Sequence, residues 1–244
     1  MLANRRYYLL RLSLLAGCVV WWSLLSMASL TVPETKSTEV FSNGLAAWSR
    51  VYSVLTSPRC INCHTATNYP QQGDDRHPHF ANVVRGPEGK GVPGLNCISC
   101  HQSANADSTG VPGGRDWHLA PLSMRWQDLN DQVLSSSAVC RALTDRTRNG
   151  GLDAQALLKH HEEEPLVLWA WNPGRRPDGT MRTVPPLSHD QFVAATREWI
   201  AAGMPCPRCM ERDPWQGISL QSTVSVKNRM SNHLHRFCGC CAKS

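Results

Sequence analysis

Residues 60–64 read Cys-Ile-Asn-Cys-His, and residues 97–101 read Cys-Ile-Ser-Cys-His. Both stretches have the pattern C-x-x-C-H. A chain of 244 residues with 11 Cys and 10 His would match that pattern by chance roughly 0.02 times. Two matches in one chain therefore reflect a chemical requirement of the protein and not its cysteine-rich composition.

The spacing of the pattern has a chemical reason. On a helical turn, two thiols three positions apart both reach the vinyl groups of a haem, and the next imidazole then lies beneath the iron. Zinc sites and redox dithiols also use C-x-x-C, but neither needs His at the fifth position twice. The motifs predict two covalent haem c groups, with thioethers at Cys60, Cys63, Cys97 and Cys100 and proximal ligands His64 and His101.

The sixth iron ligands are less clearly marked. Met124 ends the Pro-containing loop Ala-Pro-Leu-Ser-Met, 60 residues after His64, and His118 lies in an apolar setting. His161 follows 60 residues after His101, although three glutamates after it fit a solvated helix face equally well. We rank Met124 and His118 first, then His161, and leave the pairing of ligand with iron open. The last two candidates are His77 and His79.

The N-terminus predicts export. Arg5, Arg6 and Arg11 precede an uncharged stretch over 12–30, close to the roughly 20 residues that cross a bilayer once, with the positive charge kept inside. An uncleaved anchor is the favoured outcome, followed by cleavage after Ala28. Lipid attachment at Cys18 is the third, although Val-Val-Trp-Trp after it is a poor tether. Each outcome puts the rest of the chain outside the cytoplasm, in the periplasm of a Gram-negative source.

Apolar periodicity predicts a mainly α fold with long loops. The expected helices cover 40–55, 122–147, 152–171 and 188–203, the last with Ser188 as N-cap, and residues 66–96 form a long ordered loop. The expected organisation is a signal peptide or anchor at 1–30, a linker at 31–39, a di-haem domain at 40–209 and a disordered tail at 210–244.

Composition and charge exclude several classes of protein. With 18% charged and 41% hydrophobic residues, the chain is neither disordered nor a multi-span membrane protein. The net charge of +6 resides at the two ends, because residues 29–209 hold 17 basic and 17 acidic side chains. Nucleic-acid binding by a charged face is therefore not expected.

Six cysteines remain beyond Cys18 and the motifs, and an oxidising compartment favours disulfides among them. Cys140 on the second expected helix and Cys206 after the last one are the expected pair, which would close the domain at its C-terminal end. The stretch 206–210 reads Cys-Pro-Arg-Cys-Met and lacks the histidine of a third haem site. Unpaired thiols in a mobile tail are favoured over a metal site for the last three: Cys238, Cys240 and Cys241.

Residues 41–206 resemble small di-haem cytochromes c of Gram-negative bacteria. The segments that carry the resemblance are R-C-I-N-C-H at 59–64, H-P-H-F at 77–80, R-G-P-E-G-K-G-V-P-G-L-N-C-I-S-C-H at 85–101, D-W-H-L-A-P-L-S-M at 116–124 and W-N-P-G at 171–174. The resemblance implies cytochrome c-like helices and long loops packed around two covalently attached haems. Some proteins of this kind are labelled as partners of isoquinoline-type molybdenum oxidoreductases, which implies a periplasmic oxidoreductase as redox partner.

These patterns predict a periplasmic electron-transfer protein that passes single electrons between redox partners. An uncleaved N-terminal segment would also hold it at the inner membrane. The alternative is a di-haem enzyme, a peroxidase or an oxidase subunit, in which one iron keeps an open position. A peroxidase also needs an acid–base group over that iron, and the sequence marks none. A haem-based sensor is a third class, but no signalling domain accompanies the motifs.

Overall fold

The computed structural model describes residues 34–208. The predictions for the leader at 1–30, for Cys18, for Cys209 and for the tail at 210–244 lie outside the described residues. Across 34–208, none of the helices is both long enough and apolar enough to cross a membrane. This part of the chain is rich in helix with a few very short strands, which confirms the mainly α prediction.

The described residues form six α-helices and two small antiparallel strand pairs. The helices are α1 (Glu34–Leu55), α2 (Pro58–Ile61), α3 (Ser136–Thr144), α4 (Ala154–Glu163), α5 (Pro165–Trp169) and α6 (His189–Ala201). The strand pairs are β1 (Gln71–Gln72) with β2 (His77–Pro78), and β3 (Gly91–Val92) with β4 (Leu95–Asn96). Short 3-10 turns lie at Phe80–Asn82, Pro87–Gly89, Cys97–Ser99 and Leu122–Met124.

Two expected helix boundaries were wrong at the N-terminal side. Helix α1 begins at Glu34, inside the expected linker, and its first residues up to Val40 belong to a compact unit separate from the one that begins at Phe41. The expected helix over 122–147 is helical only over Ser136–Thr144. Before it, the Asp128 carboxylate accepts hydrogen bonds from two nearby backbone N–H groups, a local turn that competes with helix formation.

The expected helix over 152–171 is divided into α4 and α5. Pro165 has no N–H to donate and clashes with the preceding turn, so it ends α4 and becomes the first residue of α5. Helix α6 agrees with the prediction, because Ser188 caps it through a hydrogen bond from the Gln191 backbone and Gln191 returns one to the Ser188 backbone.

The core lies where α1, α3 and α6 meet. The indoles of Trp48 and Trp199 are fully buried with ring centroids 4.8 Å apart, and Trp48 Nε1 donates to Ser136 Oγ at 2.7 Å. A disulfide joins Cys140 on α3 to Cys206 after α6, as expected from the sequence. This bridge fixes the C-terminal end of the helical core.

The expected loop over 66–96 contains no α-helix but holds both short strand pairs and two 3-10 turns, and the buried guanidinium of Arg85 fixes its position. Arg85 donates hydrogen bonds to the backbone carbonyls of Thr65, Thr67 and Ala120 at 2.8, 3.2 and 2.6 Å. Burial lowers the pKa of Arg85. These contacts hold the loop against residues 117–126, the segment that lies beside both motifs.

Candidate functional site

Helix α2 and the turn after it hold the first motif. Pro58 begins the helix, and the backbone N–H groups of Cys63 and His64 both donate to the Cys60 carbonyl at 3.2 and 3.1 Å. Asn62 anchors the turn by donating from Nδ2 to the Gly73 carbonyl at 2.9 Å. Cys60, Cys63 and His64 consequently line one common cavity, as the haem prediction requires.

The His64 imidazole is held in one orientation and one tautomer. Its Nδ1 lies 2.7 Å from the Met124 carbonyl, and its ring stacks on Trp126 with centroids 3.4 Å apart and planes 5° apart. A carbonyl only accepts, so Nδ1 carries the proton and Nε2 keeps its lone pair. Burial lowers the pKa of His64 to about 3, which keeps the ring neutral. Ligating histidines are held in this way, with the other ring nitrogen bound to a carbonyl.

The cavity beside the first motif is about 230 Å³ and mostly apolar. Burial raises the pKa of Cys60 to about 12 and that of Cys63 to about 11, so both are protonated thiols at neutral pH. The cavity brings together most of the ligand candidates from the sequence and adds one histidine that was not ranked. These side chains are His118, Met124, His161 and His160.

Arg59 gives the cavity a buried cationic group that sequence reasoning missed. Its Nη2 donates to Asp74 Oδ1 at 2.6 Å, while its Nε–H is buried and has no hydrogen-bond partner among the described residues. Burial lowers the pKa of Arg59, and the nearby Asp74 carboxylate opposes that shift. A haem has two propionate carboxylates, and an unpaired guanidinium N–H next to Cys60 is the donor that such a carboxylate requires. The position of Arg59 directly before Cys60 is the sequence signal that could have identified it.

The second motif repeats the geometry of the first on a different scaffold. It begins in the 3-10 turn Cys97–Ser99, after the β3–β4 hairpin, and the His101 backbone N–H donates to the Cys97 carbonyl at 2.9 Å. His101 Nδ1 donates to the Pro112 carbonyl at 2.7 Å, and the ring stacks on Trp117 with centroids 4.5 Å apart and planes 5° apart. Its Nε2 is therefore also left with a lone pair.

The second motif is more exposed than the first. Cys97 is buried, but Cys100 is exposed to solvent. Burial raises the pKa of the Cys97 thiol and lowers that of His101. Among the described residues, none of the four motif cysteines forms a disulfide, in contrast to the bridged Cys140 and Cys206.

One segment, residues 117–126, lies against both motifs. Its two ends supply the indoles that stack on His101 and His64, namely Trp117 and Trp126. Between them, the Ala120 N–H donates to the Cys63 carbonyl at 3.2 Å and the Leu119 N–H to the Gly89 carbonyl at 2.9 Å. Burial is the main cause that raises the pKa of Cys63, and the charge of Arg59 lowers it. Cys97 of the second motif is near enough to raise the pKa of Cys63 further.

His161 on α4 also lines the cavity, and its ring is held in one tautomer. The ring is 4% exposed, and Nδ1 lies 3.1 Å from Thr196 Oγ1. Thr196 uses its single hydroxyl proton on the Phe192 carbonyl at 3.0 Å, so His161 Nδ1 is the donor and Nε2 keeps a lone pair. The orienting contact is of the kind that second-sphere groups make to a metal-bound histidine.

The two candidates ranked first in the sequence, Met124 and His118, also line this cavity. Met124 lines the cavity, but its carbonyl is bound to Nδ1 of His64, on the opposite side of that ring from Nε2. His118 lies at the cavity edge with 31% of its side chain exposed and its Nδ1 bound to the Asp116 carbonyl. Across residues 34–208, no group of three or more His, Cys, Asp or Glu is placed to hold a metal ion.

No family model, no curated protein and no solved structure matches this chain.

Proposed function

We propose that this protein is a di-haem c-type cytochrome that transfers single electrons in the periplasm. The observation that carries the proposal is the duplicated histidine geometry. In each C-x-x-C-H segment, Nδ1–H donates to a backbone carbonyl at 2.7 Å and the ring stacks within 5° of a tryptophan plane. Two unrelated local folds thus leave the same atom, Nε2, free for a metal.

The residues around the first motif suit a covalently bound haem. Cys60 and Cys63 would form the thioethers, His64 and His161 would be the axial ligands, and the free N–H of Arg59 would bind a propionate. Haem c would supply an iron that changes between the ferric and ferrous states one electron at a time. The protein's part is to fix the ligands, to exclude water with apolar side chains and to set the charge near the iron.

The position of residues 117–126 supports electron transfer between two sites. This segment contacts His64 through Trp126 and His101 through Trp117, so both motifs pack against one continuous stretch of chain. Electrons would enter at one haem and leave at the other. The partner that we propose is an exported redox protein, such as a periplasmic oxidoreductase, and the membrane is a further partner if residues 1–30 remain attached.

A di-haem enzyme is the second candidate, and His160 is the observation in its favour. His160 lines the first cavity together with Glu164. Burial lowers the pKa of His160, and the nearby Glu164 charge opposes that shift. A histidine–carboxylate pair is a suitable acid–base group for a peroxidase. This function requires an open iron, and therefore requires that His161 does not ligate.

Haem content and ligand binding test the proposal and separate the two functions. The full chain is matured in a bacterial periplasm, and the pyridine haemochrome assay and denaturing mass spectrometry count the haems. We expect two haems retained covalently, and a spectrum that is low-spin at both irons with no carbon monoxide binding after reduction. Retention of no haem would refute the cytochrome, whereas two haems with carbon monoxide bound at the first site would favour the enzyme.

A further inference from the structure

A second imidazole lies against His101. The ring centroids of His79 and His101 are 5.9 Å apart, with planes at 69°. A metal–imidazole bond is about 2.0 Å, and a ring nitrogen lies about 1.1 Å from the ring centre, so two imidazoles on opposite sides of one metal have centroids about 6 Å apart. The observed separation is close to that of an axial pair.

We propose that His79 is the sixth ligand of the second haem iron, opposite His101, an inference that rests on the proposed function. His79 Nδ1 lies 2.6 Å from the Phe80 carbonyl, which can only accept, so Nδ1 holds the proton. Its Nε2 thus keeps a lone pair, as does Nε2 of His101. Coordination through Nε2 would keep the hydrogen of each ring on Nδ1, where it is bound to a carbonyl.

The backbone holds His79 at this position. Its N–H donates to the Pro70 carbonyl at 2.9 Å, and the preceding residue, Pro78, is paired with Gln71 in the β1–β2 ladder. Directly afterwards, Ala81 and Asn82 have left-handed backbone angles, with φ of 64° and 52°. Non-glycine residues rarely adopt this conformation, and the reversal that it produces keeps the His79 ring beside the second motif.

The neighbouring His77 lies in the same loop, but its ring nitrogens are not available to bind a metal. Its Nδ1 lies 2.7 Å from Asp75 Oδ1, and its Nε2 lies 3.0 Å from Gln72 Nε2. Both nitrogens of His77 are therefore occupied, whereas His79 has one free. The two histidines are two residues apart and both half-buried, which makes His77 the matched control.

The test compares His79→Ala with His77→Ala in protein matured with haem. Haem content is measured first, because an unmutated protein without two haems refutes the proposed function and not the ligand assignment. With two haems present, we expect His79→Ala to make one of the two irons high-spin and able to bind carbon monoxide. Added imidazole should restore the low-spin spectrum. His77→Ala should leave spin state and carbon monoxide binding unchanged.

A ligand exchange provides a second measurement if His79→Ala retains less haem. His79→Met keeps a ligand of similar reach, and thioether ligation raises the potential of a haem iron. We therefore expect a redox titration of His79→Met to show one of the two midpoint potentials raised and the other unchanged. The assignment is overturned if His79→Ala keeps two haems with the unmutated spin state, or if His79→Met leaves both potentials unchanged.

Discussion

The carbonyl of Met124 accepts a 2.7 Å hydrogen bond from Nδ1 of His64. This contact gives Met124 a role that its position at the end of a Pro-containing loop did not predict. The backbone of Met124 therefore orients the His64 ring, while its side chain lines the same cavity. His161 on α4 also lines the cavity, and Thr196 holds its ring with Nε2 unprotonated, so we propose His161 as the second ligand of the first iron.

The first prediction concerns this choice of ligand. Because His161 Nε2 is free and Thr196 fixes the ring, we expect His161→Ala to open one of the two irons to carbon monoxide and to give a partial high-spin spectrum. Met124→Ala should keep both irons low-spin, since the Met124 carbonyl remains in place. Absorption spectra with and without carbon monoxide measure both variants.

His160 provides the control for that experiment. It is the residue before His161 on α4 and also lines the cavity, but its ring makes no hydrogen bond to a described residue. We expect His160→Ala to leave the spin state unchanged. A low-spin His161→Ala protein together with a high-spin Met124→Ala protein would reverse the assignment and restore Met124 as the sixth ligand.

The second prediction concerns folding without haem. Without haem, water would contact the mostly apolar side chains that line the first cavity, and domains of this size are stable by only about 5 to 15 kcal/mol. Replacement of Cys60 and Cys63 by Ala should therefore leave a chain that limited proteolysis degrades rapidly. The same change at Cys97 and Cys100, where the site is more exposed, should be milder. Equal protease resistance of both variants and the unmutated protein would contradict this.

The third prediction concerns the charge of Arg59. Its guanidinium lies beside the first cavity, and a positive charge near an iron favours the ferrous state. We expect Arg59→Gln to lower the midpoint potential of one haem by some tens of millivolts, since about 1 kcal/mol corresponds to roughly 40 mV for one electron. Arg176 is the control, because it also binds Asp74, at 2.6 Å, but does not line the cavity. Equal shifts of the midpoint potential in Arg59→Gln and Arg176→Gln would mean that the loss of an ion pair with Asp74 causes the shift, and would contradict a direct effect of the Arg59 charge on the iron.

The fourth prediction concerns the disulfide. Cys140 and Cys206 are 66 residues apart in sequence, and a cross-link over such a loop stabilises the folded state by roughly 4 kcal/mol relative to the open chain. Replacing both cysteines by Ser should lower the urea midpoint by a corresponding amount while the haem spectrum stays intact. An unchanged midpoint would mean that the packing of Trp48 on Trp199 holds the C-terminal end without the bridge.

The sequence predicted those features well that depend on one residue type with a specific role, such as a helix-capping serine or a pair of cysteines. Ser188 is the N-cap of α6 as expected, and Cys140 pairs with Cys206 as expected. The prediction failed where short-range and long-range interactions compete. The turn at Asp128 interrupted one expected helix, and Pro165 divided another, although Pro165 was visible in the sequence and its effect should have been anticipated.

The sequence by itself determined the mainly α class and the two C-x-x-C-H segments, because these depend on residue types at short spacing. It indicated the Cys140–Cys206 pair through the positions of these cysteines on and just after predicted helices. Only the tertiary structure decided which carbonyl orients each histidine, which tryptophan stacks on it and which imidazoles lie opposite. Met124 meets His64 across 60 residues, and His79 meets His101 across 22. Contacts of this kind depend on how loops pack around a common cavity, and no periodicity along the chain records them.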